Sequence, residues 1–307
     1  MKREYSGITL IEILMVAGII VVLAGLLIPA MTFVRKTANV TKQRAELNTI
    51  ELAITTFKND DGDYPPSTRD QSCERNANDY SGAQKLAEAL CGWDLLGFHP
   101  DSRWCSDGRD CAGGTDIYRR PLDPANNAQD RQNLQDRRGP YLDMTHVSAF
   151  RVQDLFSSTN MGQLANTYVL CDVFGVRNVV SPIGKIVKAG TPILYYKANP
   201  ASRYYDIVTG CTSITDCADR IYDFYDNQEV IDRGKLTPNG ATITGYTSPL
   251  DPGDNGIAFY NYIQDRRIST QTIQRGWPYN PESYILISAG PDGEYGTKDD
   301  ICNFPTP

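Results

Sequence analysis

Three carboxylates, Asp292, Asp299 and Asp300, fall in the stretch SAGPDGEYGTKDDI at residues 288–301, among Gly290, Gly293 and Gly296. Calcium takes about six to eight oxygens from carboxylates and backbone carbonyls in a flexible loop. Glycine lets such a loop turn its carbonyls inward. The spacing is not that of an EF-hand, and taken alone the run reads first as a solvated acidic turn. A second acidic turn, Asp251-Pro252-Gly253-Asp254-Asn255-Gly256, has only its composition in favour of a cation. Glu12 is a carboxylate of another kind. It stands at the edge of an apolar run in which no residue from Ile13 to Val34 is charged. A carboxylate deep in a bilayer costs roughly 2.5–3.5 kcal/mol, and less near the edge, where water is close. A simple place in the headgroup zone therefore competes with a special role. Were the chain to begin at Ile8, the new ammonium would lie four residues before Glu12, as the positive partner a buried carboxylate needs.

Other chemistry is sparse. The chain has two histidines, His99 and His146, and neither accompanies a nucleophile elbow, a zincin helix or a P-loop. No enzyme activity is expected. Eight cysteines all follow the apolar run, and their even number fits an oxidising compartment. Cys105 and Cys111 share one short spacing with Cys211 and Cys217, each pair flanking a loop of small polar residues. Local disulfides are expected there, ahead of free thiols or a metal knuckle. The net charge of −7 argues against a nucleic-acid partner. Basic residues come only as short pairs, Arg119-Arg120, Arg137-Arg138 and Arg266-Arg267.

These groups must be positioned by a small set of elements. The apolar run is long enough to cross a bilayer as a helix, with Pro29 near its end, where it would bend the helix. Beyond it Val40, Leu47 and Ile54 recur every seven residues, with Ile50 and Phe57 on the same stripe, which predicts an amphipathic continuation. The turn cluster Asn59-Asp60-Asp61-Gly62 should end it. One helix of about fifty residues results, apolar all round in front and amphipathic behind. A second helix is expected at 82–93 and a helical turn near 132–137. Strands are expected at 167–174, 178–181, 191–197 and 283–288, and a short helix at 221–231. Residues 234–281 are rich in turn formers and give no order. The fold class is α+β, with the long helix packed on a small antiparallel sheet and large loop-rich insertions. Lysines and arginines flank both ends of the apolar run, so the cysteines set the orientation, with the C-terminal part on the oxidising side.

The stretch Gly7-Ile8-Thr9-Leu10-Ile11-Glu12, followed by the apolar run and Pro29, resembles the processing site of type IV prepilins and type II secretion pseudopilins. The C-terminal acidic loop is similar to the calcium loop of major pseudopilins. Residues Leu47–Tyr64, ending DDGDYP, and Gly139-Pro140-Tyr141-Leu142 resemble further parts of that family. The resemblance implies cleavage after Gly7 by a prepilin peptidase, methylation of Ile8, and assembly through Glu12. It implies Ca2+ held by Asp292, Asp299 and Asp300 with loop carbonyls. Residues 1–7 would be a leader, 8–34 the membrane and filament-core half of the helix, 35–60 its amphipathic half, and 61–307 a globular periplasmic domain. The expected role is a structural subunit of a secretion pseudopilus. It would be anchored once in a bacterial inner membrane and then polymerised with itself by a platform protein and an ATPase, with minor pseudopilins or secreted cargo as further partners. Ile8 departs from the family's usual Phe, and the middle of the chain is far longer than in a minimal major pseudopilin. A surface-displayed pilin-like adhesin or ligand-binding module, with residues 99–281 carrying recognition, is the alternative.

Overall fold

The computed structural model describes residues 9–68, 80–110, 114, 116–118, 128–143, 148–156, 166–180, 184–211, 213–239, 246–268 and 276–305. The chain divides into two units, Met1–Lys42 and Gln43–Pro307. The first helix, α1 (Leu10–Asp61), belongs to both. In the first unit its large apolar side chains are open on every face: Leu10, Ile13, Ile20, Leu27 and Val34 are all more than half exposed. Length and composition make this part able to cross a membrane.

In the second unit the same helix turns one stripe inward. Leu47, Ile50, Ala53, Ile54 and Phe57 are buried at the three- and four-residue spacing of a helical face. Phe57 meets Phe98, Trp104 and Tyr141 in edge-on ring contacts, with centroids 5.0–6.4 Å apart. The helix stops where Gly62, at φ 92°, donates its N–H back to Lys58 O at 2.8 Å. That left-handed turn is cheap only for glycine.

The next helix, α2 (Gly82–Cys91), is buried along its whole length and packs on strands β2 (Tyr168–Cys171) and β5 (Leu194–Lys197). Gly82 lies so close to Tyr195 O that a Cβ there would collide with it. Two charged residues ride into the interior on α2. Glu88 accepts hydrogen bonds from the Tyr80, Ser102 and Tyr118 hydroxyls, and burial pushes its carboxyl above the usual range. Lys85 donates to Thr68 O.

The strands form three separate antiparallel ladders, where the sequence predicted one sheet. β1 (Ser148–Arg151) pairs with β2, β3 (Arg177–Val180) with β4 (Ile186–Ala189), and β5, β6 (Tyr284–Ser288) and β7 (Ile301–Cys302) line up in that order. The strands are two to five residues long. The open edge of β5 is covered by side chains: Lys197 N–H donates to Ser67 Oγ at 2.8 Å, and Asn227 Nδ2 donates to Tyr195 O at 2.7 Å. Short helices α3 (Ala128–Asp136), α4 (Val152–Leu155), α5 (Ile214–Ala218), α6 (Gln228–Ile231) and α7 (Ile257–Tyr262) complete the elements. α7 lies within residues 234–281, where turn formers hid any order from a reading of the sequence. The main core gathers Phe150, Val169, Leu194, Ile285, Ile287 and Phe259.

Candidate functional site

Gly7 and Ile8 lie outside the described residues. Thr9 and Glu12 lie within them and form the start of α1. The Thr9 backbone N–H and hydroxyl both donate to Glu12 Oε2, each at 2.8 Å, while Glu12 N–H points back at Thr9 Oγ1 at 3.4 Å. This is a capping box, in which each residue satisfies a backbone donor left over at the helix end. Thr-x-x-Glu is the written signature of this box, a local use of Glu12 beside the headgroup position and the ammonium pairing that its place at the edge of the apolar run suggests.

The C-terminal loop leaves β6 through Gly290, Gly293 and Gly296, all at positive φ, and enters β7 after Asp300. Gly290 is required because a Cβ would collide with Asp299 O. Asp300 is buried. Its Oδ2 accepts the Tyr262 hydroxyl at 2.6 Å and Gly296 N–H at 2.7 Å, and its Oδ1 lies 3.3 Å from Thr297 Oγ1. Burial raises its pKa to about 6 despite those donors. Asp292 Oδ2 accepts from the same Thr297 hydroxyl at 2.8 Å, and Asp292 Oδ1 accepts Glu294 N–H at 3.0 Å. Two of the three predicted carboxylates thus converge on one hydroxyl. Asp299 instead places its carbonyl against Gly290. Among the described residues no group of three or more His, Cys, Asp or Glu is drawn together in a way that could hold a metal. What the loop brings together is two carboxylates on one hydroxyl, one of them buried, where its charge is costly.

Tyr262 and Thr297 were not singled out from sequence. Thr297 had a local signal, lying between Asp292 and Asp300. Tyr262 had none, since it reaches the loop from α7. The segment before α7 also packs here, because a Cβ on Gly296 would press on Leu250 N at 2.8 Å. The acidic turn at 251–256 is used internally. Asp254 Oδ2 accepts Ala258 N–H at the start of α7, and Asp251 accepts from Gly253 N–H and Gln228 Nε2.

Cys211 and Cys217 form a disulfide, as predicted. Cys105 is disulfide-bonded, and Cys111 lies outside the described residues. The even count does not resolve into bridges throughout: Cys91, Cys171 and Cys302 are free thiols, and burial pushes each of them upward in pKa. They fill core space as small apolar side chains. Beside the bridge, Arg220 is fully buried between the Tyr204 and Tyr260 rings, 5.0 and 4.7 Å from their centroids. Its guanidinium donates to Asp206 O and Gly210 O. His99 is buried, with its Nδ1 accepting Asp101 N–H. His146 lies outside the described residues.

Fold and site together define an α+β chain whose N-terminal helix is long and apolar enough to cross a membrane. No family model, curated protein or solved structure matches the chain.

Proposed function

We propose that the chain is a pseudopilin-like structural subunit, processed after Gly7, held once in an inner membrane with its globular part on the periplasmic side, and then polymerised into a short filament that aids protein export. The observation that carries this reading is the division of labour along α1. One continuous helix is apolar and open on all faces from Leu10 to Val34, then buries a single stripe in a folded domain from Leu47 to Phe57. A helix built this way needs two successive apolar surroundings for its first half, bilayer and then neighbouring copies. Its second half stays constant because it belongs to the domain. The residues around its start, Gly7-Ile8-Thr9-Leu10-Ile11-Glu12, supply the resemblance that suggests the class.

In this reading calcium locks the C-terminal loop, with Asp292 and Asp300 as side-chain ligands and Asp299 and loop carbonyls completing the shell. The chain itself does no bond chemistry, and the work of assembly comes from a platform protein and an ATPase. Mass spectrometry of protein from the native membrane tests the core of the proposal. The expected N-terminus is Ile8 carrying a methyl group, and an intact Met1 would sink the assignment.

A further inference from the structure

Tyr262 touches the C-terminal loop and the strand that follows it at once. Its hydroxyl donates to the buried Asp300 Oδ2 at 2.6 Å and lies 3.3 Å from Cys302 Sγ. Its ring meets Phe304 edge-on, with centroids 6.0 Å apart. A hydroxyl has one proton to give, and Asp300 takes it, so the Cys302 thiol is left to donate to the Tyr262 oxygen. β7 needs such support. It has two residues, paired with Ile287 and Ser288 of β6, and so short a pairing is marginal by itself.

The rest of the loop is fixed in the same way. Lys235 Nζ donates to Glu294 Oε1 at 2.8 Å, with both side chains less than a third exposed. The Tyr295 hydroxyl donates to Pro192 O at 2.5 Å, and its ring is buried. Inside the loop Gly296 N–H serves Asp300, while Glu294 N–H and the Thr297 hydroxyl serve Asp292. The carboxylates of Asp292, Glu294 and Asp300 therefore each meet a proton donor of this chain. Hydrogen bonds to a carboxylate are roughly twice as strong as those between neutral groups. Three carboxylates served in this way can share one loop without an ion between them. Lys235 and Tyr262, the two side chains that reach these carboxylates from outside the loop, both come from residues 234–281, within the long middle of the chain.

We propose that Tyr262, seconded by Lys235, latches the C-terminal loop and β7 shut without need of an ion. The latch gives part of the long middle a task, since α7 closes a loop that lies 38 residues further along the chain. Calcium, where it binds, tightens a loop that is already closed. The latch goes beyond the calcium reading and stands or falls without it.

Hydrogen exchange of the full chain in detergent tests it, read by mass spectrometry over residues 289–302 with chelator and with calcium. In chelator the native loop should exchange slowly. Tyr262→Phe keeps the ring and removes the donor, and should speed exchange of the loop and β7 by about tenfold or more in chelator, with α2 and β5 unchanged as the control for folding. Asp300→Asn keeps an acceptor for the Tyr262 hydroxyl and should leave the loop slow. Rapid exchange of the native loop in chelator would overturn the latch. So would native exchange in Tyr262→Phe, which would reduce the tyrosine to a space-filling ring. If Tyr262→Phe also speeds β5, the chain has lost its fold, and Lys235→Met carries the test. A smaller speeding confined to the loop supports the latch, and no change overturns it. Calcium that fails to slow the loop of Tyr262→Phe would count against the calcium reading and leave the latch standing.

Discussion

Thr9 and Glu12 hold each other across the first turn of α1, with one carboxylate oxygen accepting both the backbone N–H and the hydroxyl of the threonine. Ser81 and Gln84 repeat the arrangement at the start of α2, where the Ser81 N–H and hydroxyl both donate to Gln84 Oε1 at 2.8 Å. The second case uses an uncharged amide. Capping at position 12 therefore requires an acceptor oxygen and not a negative charge, which lets the two roles of Glu12 be separated.

Glu12→Gln should keep the first turn of α1 as well ordered as the native residue does, while Glu12→Ala should let that turn fray. Hydrogen exchange at the helix start reads this directly. Filament formation should fail in both variants, because pairing with a neighbour's new ammonium needs the charge. Normal filaments from Glu12→Gln would reduce the residue's role to capping.

If the C-terminal loop holds calcium as proposed, its affinity should respond to pH through Asp300. Its carboxyl titrates at about 6 in the absence of a cation, raised by burial, and calcium binds the ionised form. Affinity should therefore be constant above that value and fall as pH drops below it. Thermal melts with calcium and with chelator, on either side of pH 6, check the point. Asp300→Asn should remove most of the calcium-dependent rise in Tm, and Asp292→Asn a smaller part.

Asp172 gives the domain a pH dependence of the opposite kind to the usual acid denaturation. Burial raises its carboxyl to about 7, in spite of N–H donors from Phe174 and Thr191 and the Ser288 hydroxyl, and Glu46 on α1 adds a like charge. The native state thus keeps a proton that the unfolded chain releases above its ordinary value of 3.8. The stability from this group is complete below that value and declines as pH rises toward 7, by up to about 1.4 kcal/mol per pH unit. Urea melts across that range, made in an Asp300→Asn background to remove one of the other carboxyls raised by burial, should show the decline. Asp172→Asn should flatten it, since an amide still accepts the two N–H groups.

Arg220 and the Cys211–Cys217 bridge hold the same loop by different means. Arg220→Ala leaves the Asp206 and Gly210 carbonyls without their buried donor and should cost about 3 kcal/mol. Replacing both cysteines by serine should cost about 2 kcal/mol, the loop-closure entropy of so short a loop. The combined variant should lose less than the sum, because neighbours that order one segment are not independent. Additive losses in urea melts would show that the two act separately.

Sequence alone determined the elements whose signal is local. The uncharged run, the stripe Leu47–Ile50–Ile54–Phe57 and the stop at Gly62 set the extent and both faces of α1, because helical period and left-handed glycine are written within a few residues. The strands at 168–171, 177–180, 194–197 and 284–288 and the helix at 82–91 were legible for the same reason. β1 and β4 were not: four residues such as Ser148–Arg151 are too few to show alternation, and they become strands only through partners at a distance. Whether there is one sheet or three ladders is likewise decided by pairing, which has no local mark. The candidate site divides along the same line. Asp292, Asp299 and Asp300 were visible as an acidic cluster. That Thr297 gathers Asp292 and Asp300, while Tyr262 arrives from α7 to hold Asp300, was decided only by tertiary structure. A buried carboxylate takes its donors from whatever the fold brings within 3 Å, and chain distance does not constrain which residues those are.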